Sequence, residues 1–349
     1  MPRTKKRRAP ARRGGHVLAF EWRAWIAENL LRGVPRSDIA QTLRAHGVPV
    51  REIERRVREI SESPAFAGAQ SIARDARRFG QVLALERAVA RAAAAPGAIE
   101  RRDRVSAREL FDRYYASSTP VVLTDVARRW RACARWTPQY LKKRFGRAEI
   151  EITDNRGADP DYDMHHERHR KSTTIAELVD RIERAGETNE FYAVANNRNL
   201  ARPALGALLR DIDPDRALLD RKRLATATQL WLGPAGTVTP LHHDTSGILF
   251  CQIHGRKRFL LAAPSEVALL RGARAMYAAP GVDPERIDTK KHPWLRDVAF
   301  KETVLEPGDS LFLPVGWWHH VRALDVSISL AFNGFVRPNR FDWYRPGNA

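Results

Sequence analysis

Two segments decide how this chain reads: Thr239-Pro240-Leu241-His242-His243-Asp244, and later Leu311-Phe312-Leu313-Pro314-Val315-Gly316-Trp317-Trp318-His319-His320. On a strand, side chains alternate between faces, so His242 and Asp244 point the same way and His243 points the other. A third group is expected from His319, 319 − 244 = 75 residues further on, at the end of a second strand entered through Glu306-Pro307-Gly308-Asp309. Two imidazoles and one carboxylate occupy one face of an octahedron and leave three positions open. Iron(II) needs that arrangement when it must take a bidentate co-substrate and dioxygen. Zinc prefers a closed or four-coordinate site.

A 2-oxo acid would fill two of the open positions, and its far carboxylate then needs a cation and a hydroxyl. Lys257, 257 − 244 = 13 residues past Asp244, follows the turn His254-Gly255-Arg256. Thr239 precedes His242 on the same strand, and Tyr192 is a third donor. Lysine offers a point charge, the hydroxyls offer donors. Alone, a His-x-Asp pair means little and Lys257 reads as a surface charge. Their joint order, Thr-Pro-x-His-x-Asp before Pro-Gly-Asp-x-x-x-x-Pro-x-x-Trp-Trp-His, is specific. His320 rivals His319 as a ligand. His165, His166 and His169 look metal-like but lie in a charged stretch that reads as an exposed loop. Trp231 lines the pocket or is simply core.

Around these segments the pattern from Thr226 to Phe335 is of short strands punctuated by Gly and Pro, with a helical interruption near Ser265 to Arg271. Before them, Ser106-Ala107-Arg108-Glu109 and Thr174-Ile175-Ala176-Glu177 are capping boxes. Thr137-Pro138 supplies an N-cap and first helical residue for a helix stopping at Gly146. Val121-Val122-Leu123 and Ile150-Glu151-Ile152 read as strands, and residues 200 to about 219 as helical. The expectation is an α+β fold, a double-stranded β-helix of jelly-roll type with flanking helices over residues 101–349.

Residues 16–100 read as all helix. Phe20, Trp22, Trp25, Ile26, Leu30 and Leu31 recur at helical spacing before Gly33. Ser37 is a plausible N-cap for a second helix that stops at Gly47. Val50, Ile53, Val57 and Ile60 mark a third, ended by Ser63-Pro64. A long Ala/Arg-rich helix follows from Phe66 to Ala95, with the domain boundary at Pro96-Gly97. The segment Ile39 to Val57 faintly resembles a helix-turn-helix, but its Ala40-to-Gly47 interval is too long. A small bundle that packs on the enzyme or holds a partner is the simpler reading.

The chain has 349 residues and a formal net charge of +19. Fifty of its sixty basic residues are arginine, a bias that looks like base composition as much as nucleic-acid binding. Residues 1–15 read as a disordered basic tail, able to touch nucleic acid or acidic partners. No membrane span and no signal peptide are read, and two cysteines, Cys133 and Cys251, suggest a reducing compartment. Cytoplasmic localisation is the expectation.

At these residues the chain resembles the JmjC or cupin-like family of iron(II)/2-oxoglutarate oxygenases, in the style of its asparaginyl hydroxylases. The resemblance runs from about 103 to 335. It takes in Thr119-Pro120-Val121-Val122-Leu123, Trp136-Thr137 to Phe145-Gly146, Phe191-Tyr192-Ala193, Thr239 to Pro264 and Leu305 to Val321. It implies His242, Asp244 and His319 as iron ligands. It implies Lys257, Thr239 and Tyr192 as binders of the far carboxylate of 2-oxoglutarate, and a hydroxylase acting on a protein or peptide side chain. Demethylation, or action on RNA or a small natural product, stays open. Two departures stand out. Ser327 to Asn333 stands where the hydroxylase type often has Asn and Trp near these positions, and Ile248 stands where it has a polar residue.

Overall fold

Trp22, Trp25 and Ile26 are buried on one side of the first helix, α1 (Phe20–Leu31), because their spacing puts them on one stripe. They pack against Ile39 and Leu43 of α2 (Arg36–Ala45) and Ile53 and Val57 of α3 (Val50–Ser61). Gly33 and Gly47 follow α1 and α2 with positive φ, as helix-terminating glycines do. Ser37 is not the N-cap of α2. Pro35 occupies that position, and the Ser37 hydroxyl donates to Asp38 instead. Ser63 both follows α3 and accepts from the Phe66 amide, opening α4 (Pro64–Ala93) with Pro64 as its first residue.

The computed structural model describes residues 20–93 and 98–342. The basic tail read over 1–15 and the Pro96-Gly97 break lie outside them. The chain divides into two compact units between Val89 and Ala90. Strand β1 (Glu100–Arg102) already belongs to the second unit, where it pairs in parallel with β2 (Val121–Leu123). Among the described residues no helix is long and apolar enough to cross a membrane.

Among the described residues the second unit mixes helices with three sheets, an α+β arrangement. Ser106 caps a short helix, α5 (Ala107–Glu109), that continues as a wider π turn through Tyr115. After α6 (Arg131–Arg135), Thr137 caps α7 (Pro138–Phe145) by accepting from the Tyr140 amide. Strands β3 (Glu149–Thr153) and β4 (Arg170–Thr174) form an antiparallel pair. Thr174 and Glu177 then form a reciprocal capping box on α8 (Ile175–Ala185). Residues 200–219 form the helical stretch the sequence suggests only in part. An α-helical turn, Pro203–Gly206, runs into a 3-10 helix, Ala207–Asp211, that ends at extended Ile212, and Asp213-Pro214 disfavours further helix.

The remaining strands are β5 (Thr228–Gly233), β6 (Val238–His242), β7 (Ile248–His254), β8 (Lys257–Ala262), β9 (Lys301–Leu305), β10 (Ser310–Leu313), β11 (Trp318–Ala323) and β12 (Ser327–Phe332). One sheet has the order β1-β2-β10-β7-β12-β5 and the other β6-β11-β8-β9. Phe250, Leu313 and Ala331 of the first pack with Phe259, Leu261 and Val321 of the second in one apolar cluster. The outer face of the larger sheet is covered by the helices, through Trp130, Trp136, Leu178 and Val179 among others. His319 does not end the strand entered through Glu306-Pro307-Gly308-Asp309. That turn leads into β10, and Pro314 and Gly316 separate it from β11, near whose start His319 sits.

Candidate metal centre and anion pocket

His242 ends β6, and His319 is its direct cross-strand partner on β11. The two imidazole rings lie 4.0 Å apart between centroids. Asp244, just past the end of β6, places a carboxylate oxygen 3.5 Å from His319 Nε2. One donor atom from each of the three falls within 4.8 Å of the others. The turn before β11 helps hold this corner, since the Gly316 amide donates to the Asp244 carbonyl.

Both imidazoles are oriented from behind. Nδ1 of His242 lies 2.7 Å from the Pro240 carbonyl, and Nδ1 of His319 lies 3.0 Å from the Trp317 carbonyl. A carbonyl only accepts, so each Nδ1 carries the hydrogen and each Nε2 keeps its lone pair. That is the tautomer a metal ligand needs, fixed by backbone. Burial holds His319 well below the usual imidazole range, helped by His242. Burial also raises the Asp244 carboxyl, against the lowering effect of His242. Two imidazoles that direct Nε2 toward a half-buried carboxylate, with no cationic side chain paired to that carboxylate among the described residues, suit a divalent cation. His243 points the other way, fully buried edge-on to Trp318, and burial pushes it down to about 4.

These groups open into a cavity of about 360 Å³ between the sheets, lined by His242, Asp244 and His319 and also by Thr239, Tyr192 and Lys257. Lys257 is almost wholly buried, and its Nζ donates to the Tyr192 hydroxyl at 2.6 Å. The rings of Phe250, Tyr192 and Trp231 surround it at 5.1, 5.3 and 5.7 Å. No carboxylate forms an ion pair with it among the described residues, and burial brings its pKa down to about 7. Trp231 lines the cavity with a buried indole N–H that has no acceptor among the described residues. A buried ammonium without a counter-charge, an orphaned donor and a threonine hydroxyl together fit an anion.

Several neighbours were not legible beforehand. Arg156, in a charged stretch, is almost wholly buried beneath the pocket. Its guanidinium lies 4.1 Å from the Tyr162 ring centroid and 5.5 Å from that of Tyr192, donating to Asn189 Oδ1 and the Val238 carbonyl. No carboxylate pairs with it among the described residues. Tyr277 stacks on His242 and donates to Asp163 at 2.8 Å.

The histidine-rich stretch is not an exposed loop throughout. Its histidines are half-buried, and Met164 and His166 line the cavity. His165 and His169 hold Asp159 at 2.7 and 3.3 Å and, His165 foremost, lower its carboxyl to about 2. His320 faces the opposite side of β11 from His319. It approaches Asp283 and Glu285, whose carboxylate is engaged by Arg322 and Arg258. Of the two departures, Ile248 lines the cavity, as do Ala331 and Asn333, while Ser329 donates to buried Gln252 instead.

The sequence profile of the cupin-like domain matches residues 107–338. The chain is 29% identical over 244 residues to Jumonji C domain-containing protein 5 of Drosophila melanogaster, covering 67% of this chain and 59% of that one. It is 29% identical over 230 residues to lysine-specific demethylase 8 of Xenopus tropicalis, covering 63% and 49%. It is 28% identical over 242 residues to lysine-specific demethylase JMJ30 of Arabidopsis thaliana, covering 67% and 54%. The chain thus spans about half to three-fifths of the length of these curated relatives.

Proposed function

Because this chain belongs to the cupin-like domain family, we propose that it is an iron(II)- and 2-oxoglutarate-dependent oxygenase that hydroxylates an amino-acid side chain of a protein or peptide. The observation that supports this most is the convergence of His242, Asp244 and His319 on a cavity that also contains buried, carboxylate-free Lys257. In this reading the two sheets are the halves of a double-stranded β-helix. His242, Asp244 and His319 hold the iron, and Lys257, Thr239 and Tyr192 hold the far carboxylate of 2-oxoglutarate.

Metal and co-substrate together supply the dioxygen chemistry that oxidises a substrate C–H bond while 2-oxoglutarate becomes succinate and carbon dioxide. The protein's own share is orientation and exclusion of water. The Pro240 and Trp317 carbonyls fix the imidazole tautomers. Lys257 occupies an acceptor lone pair of the Tyr192 oxygen, so the phenol hydrogen is left to donate to the carboxylate. Phe250, Trp231 and Phe259 keep that end of the cavity dry.

A second reading, removal of a methyl group from lysine, takes support from the names of two relatives. It is favoured by Asp163, an acidic group in the cavity wall beside Tyr277 that suits a cationic side chain. Turnover of 2-oxoglutarate to succinate by the wild-type chain, lost in His242→Ala, is the expected result. Molecules trapped by the inactive variant and then treated with active enzyme should gain one oxygen atom. Release of formaldehyde with loss of a methyl group would favour demethylation. Absence of succinate under iron(II), 2-oxoglutarate and oxygen would remove both readings.

A further inference from the structure

Helix α4 is thirty residues long, about 45 Å at the usual rise. Five of its large apolar side chains, Ile72, Phe79, Val82, Leu85 and Val89, are between 55% and 73% exposed. The step from Ile72 to Phe79 is two turns, and the next steps are three, three and four residues. At 3.6 residues per turn all five fall on one stripe. Single exposed apolar side chains are ordinary, but a continuous stripe of five signals a surface that is covered in use. Arg77, on the opposite side of the helix, donates to the Leu31 carbonyl of α1 at 2.8 Å. That contact turns the apolar stripe outward within the first unit.

The charges inside the stripe identify the partner. They are Asp75, Arg78 and Glu86, while Arg77, Arg87 and Arg91 lie on the far side of the helix. In an antiparallel pair of identical helices with a two-fold axis at Val82, positions equidistant from Val82 face each other. Val82 then meets Val82, and Phe79 meets Leu85. Arg78, four residues before the axis, meets Glu86, four residues after it. Symmetry makes each of the last two contacts twice. A parallel, in-register pair would instead set Arg78 on Arg78 and Glu86 on Glu86, which repel.

We propose that α4 is a self-association surface, pairing antiparallel about Val82 with α4 of a second copy of this chain. The pairing depends on the α4 stripe and not on the chemistry of the cavity.

The test uses the full chain in analytical ultracentrifugation over a range of concentrations. The wild type sediments as a dimer at micromolar concentration. Val82→Glu sediments as a monomer with unchanged circular dichroism, since the position is exposed. Arg78→Glu and Glu86→Arg each weaken the dimer about tenfold or more, because each replaces two attractive contacts by two repulsive ones. The double variant Arg78→Glu/Glu86→Arg recovers most of the lost affinity, short of the wild type only by the Arg78–Asp75 pair within the helix. Independently of any change in stability, Val82→Cys should form a disulfide-linked dimer under mild oxidation, because the two-fold axis brings the two sulfurs together. A wild type that stays monomeric up to about 100 micromolar overturns the proposal. So does a charge-swapped double variant no better than either single one. Binding to anionic vesicles by a monomer, lost in Val82→Glu, would reassign the stripe to a membrane surface.

Discussion

Lys257 and Tyr192 lie 257 − 192 = 65 residues apart, yet they meet at 2.6 Å at the buried end of the cavity, the lysine donating to the tyrosine oxygen. The ammonium has aromatic rings around it and no carboxylate ion pair among the described residues. Its pKa near 7 results from burial.

The pKa is lowered in the folded protein, so at neutral pH a sizeable fraction of Lys257 is neutral. A bound carboxylate favours the charged form. Binding of 2-oxoglutarate should therefore take up a proton above about pH 7, and affinity should fall by up to about tenfold per pH unit beyond it. Calorimetry of the metal-loaded protein in buffers of different ionisation heat measures this directly. Equal affinity at about pH 6.5 and pH 8.5, with no proton uptake, would contradict it. The effect on stability has the opposite sign, because folding releases a proton where ligand binding takes one up. The unfolded chain keeps this lysine protonated up to about pH 10.4, so this group makes the protein more stable as pH rises from about 7 toward that value.

Asp244 supplies the only acidic donor in the candidate triad. Asp244→Ala should abolish binding of manganese(II) or iron(II), read as metal content after gel filtration. In the wild type, metal at about a hundred times its dissociation constant should stabilise the fold by about 2.7 kcal/mol. The variant should melt at the same temperature with and without metal. A variant that still retains metal at the wild-type ratio would remove Asp244 from the site.

Gly255 turns the chain from β7 into β8 and so sets where Lys257 falls. Its φ is +65°, and an added Cβ would sit 2.1 Å from the Val326 carbonyl oxygen. Gly255→Ala should cost about 2 kcal/mol or more, since the clash is with backbone. Gly281 has a similar φ of +74° but open space around it. Gly281→Ala should cost only the left-handed penalty, about 1 kcal/mol. Urea unfolding of the pair separates the two effects, and equal losses would show that the close approach to Val326 carries no weight.

Arg156 places a second buried cation behind Tyr192. Arg156→Met removes one donor from Asn189 Oδ1 and one from the Val238 carbonyl, which keep the Val238 amide and the Tyr162 hydroxyl, and the lost charged hydrogen bonds cost about 1–3 kcal/mol. It also lowers the positive potential at the anion end, so 2-oxoglutarate binding should weaken about tenfold. Arg156→Lys should recover part of that affinity. A variant whose melting temperature falls while its affinity stays unchanged would limit Arg156 to a structural role.

The helix signals were legible because they act over one or two turns. Thr137 and Thr174 cap where their spacing to Pro138 and Glu177 says they should, and Gly33 and Gly47 follow helices with positive φ. Two local readings nevertheless changed, each at a proline. Pro35 displaced Ser37 as the cap of α2, and Pro314 and Gly316 divided one expected strand into two.

By itself the sequence determined the helical and strand periods, the caps, and the common facing of His242 and Asp244, because all of these depend on residues close along the chain. Only the tertiary structure decided that His319 lies opposite His242, that Lys257 meets Tyr192, and that Arg156 is buried. Strand pairing is made by backbone groups that are nearly alike at every residue, so register is set by how the whole core packs. A charged residue such as Arg156 reads as solvated until Tyr162, Asn189 and Val238, distant in the chain, close around it.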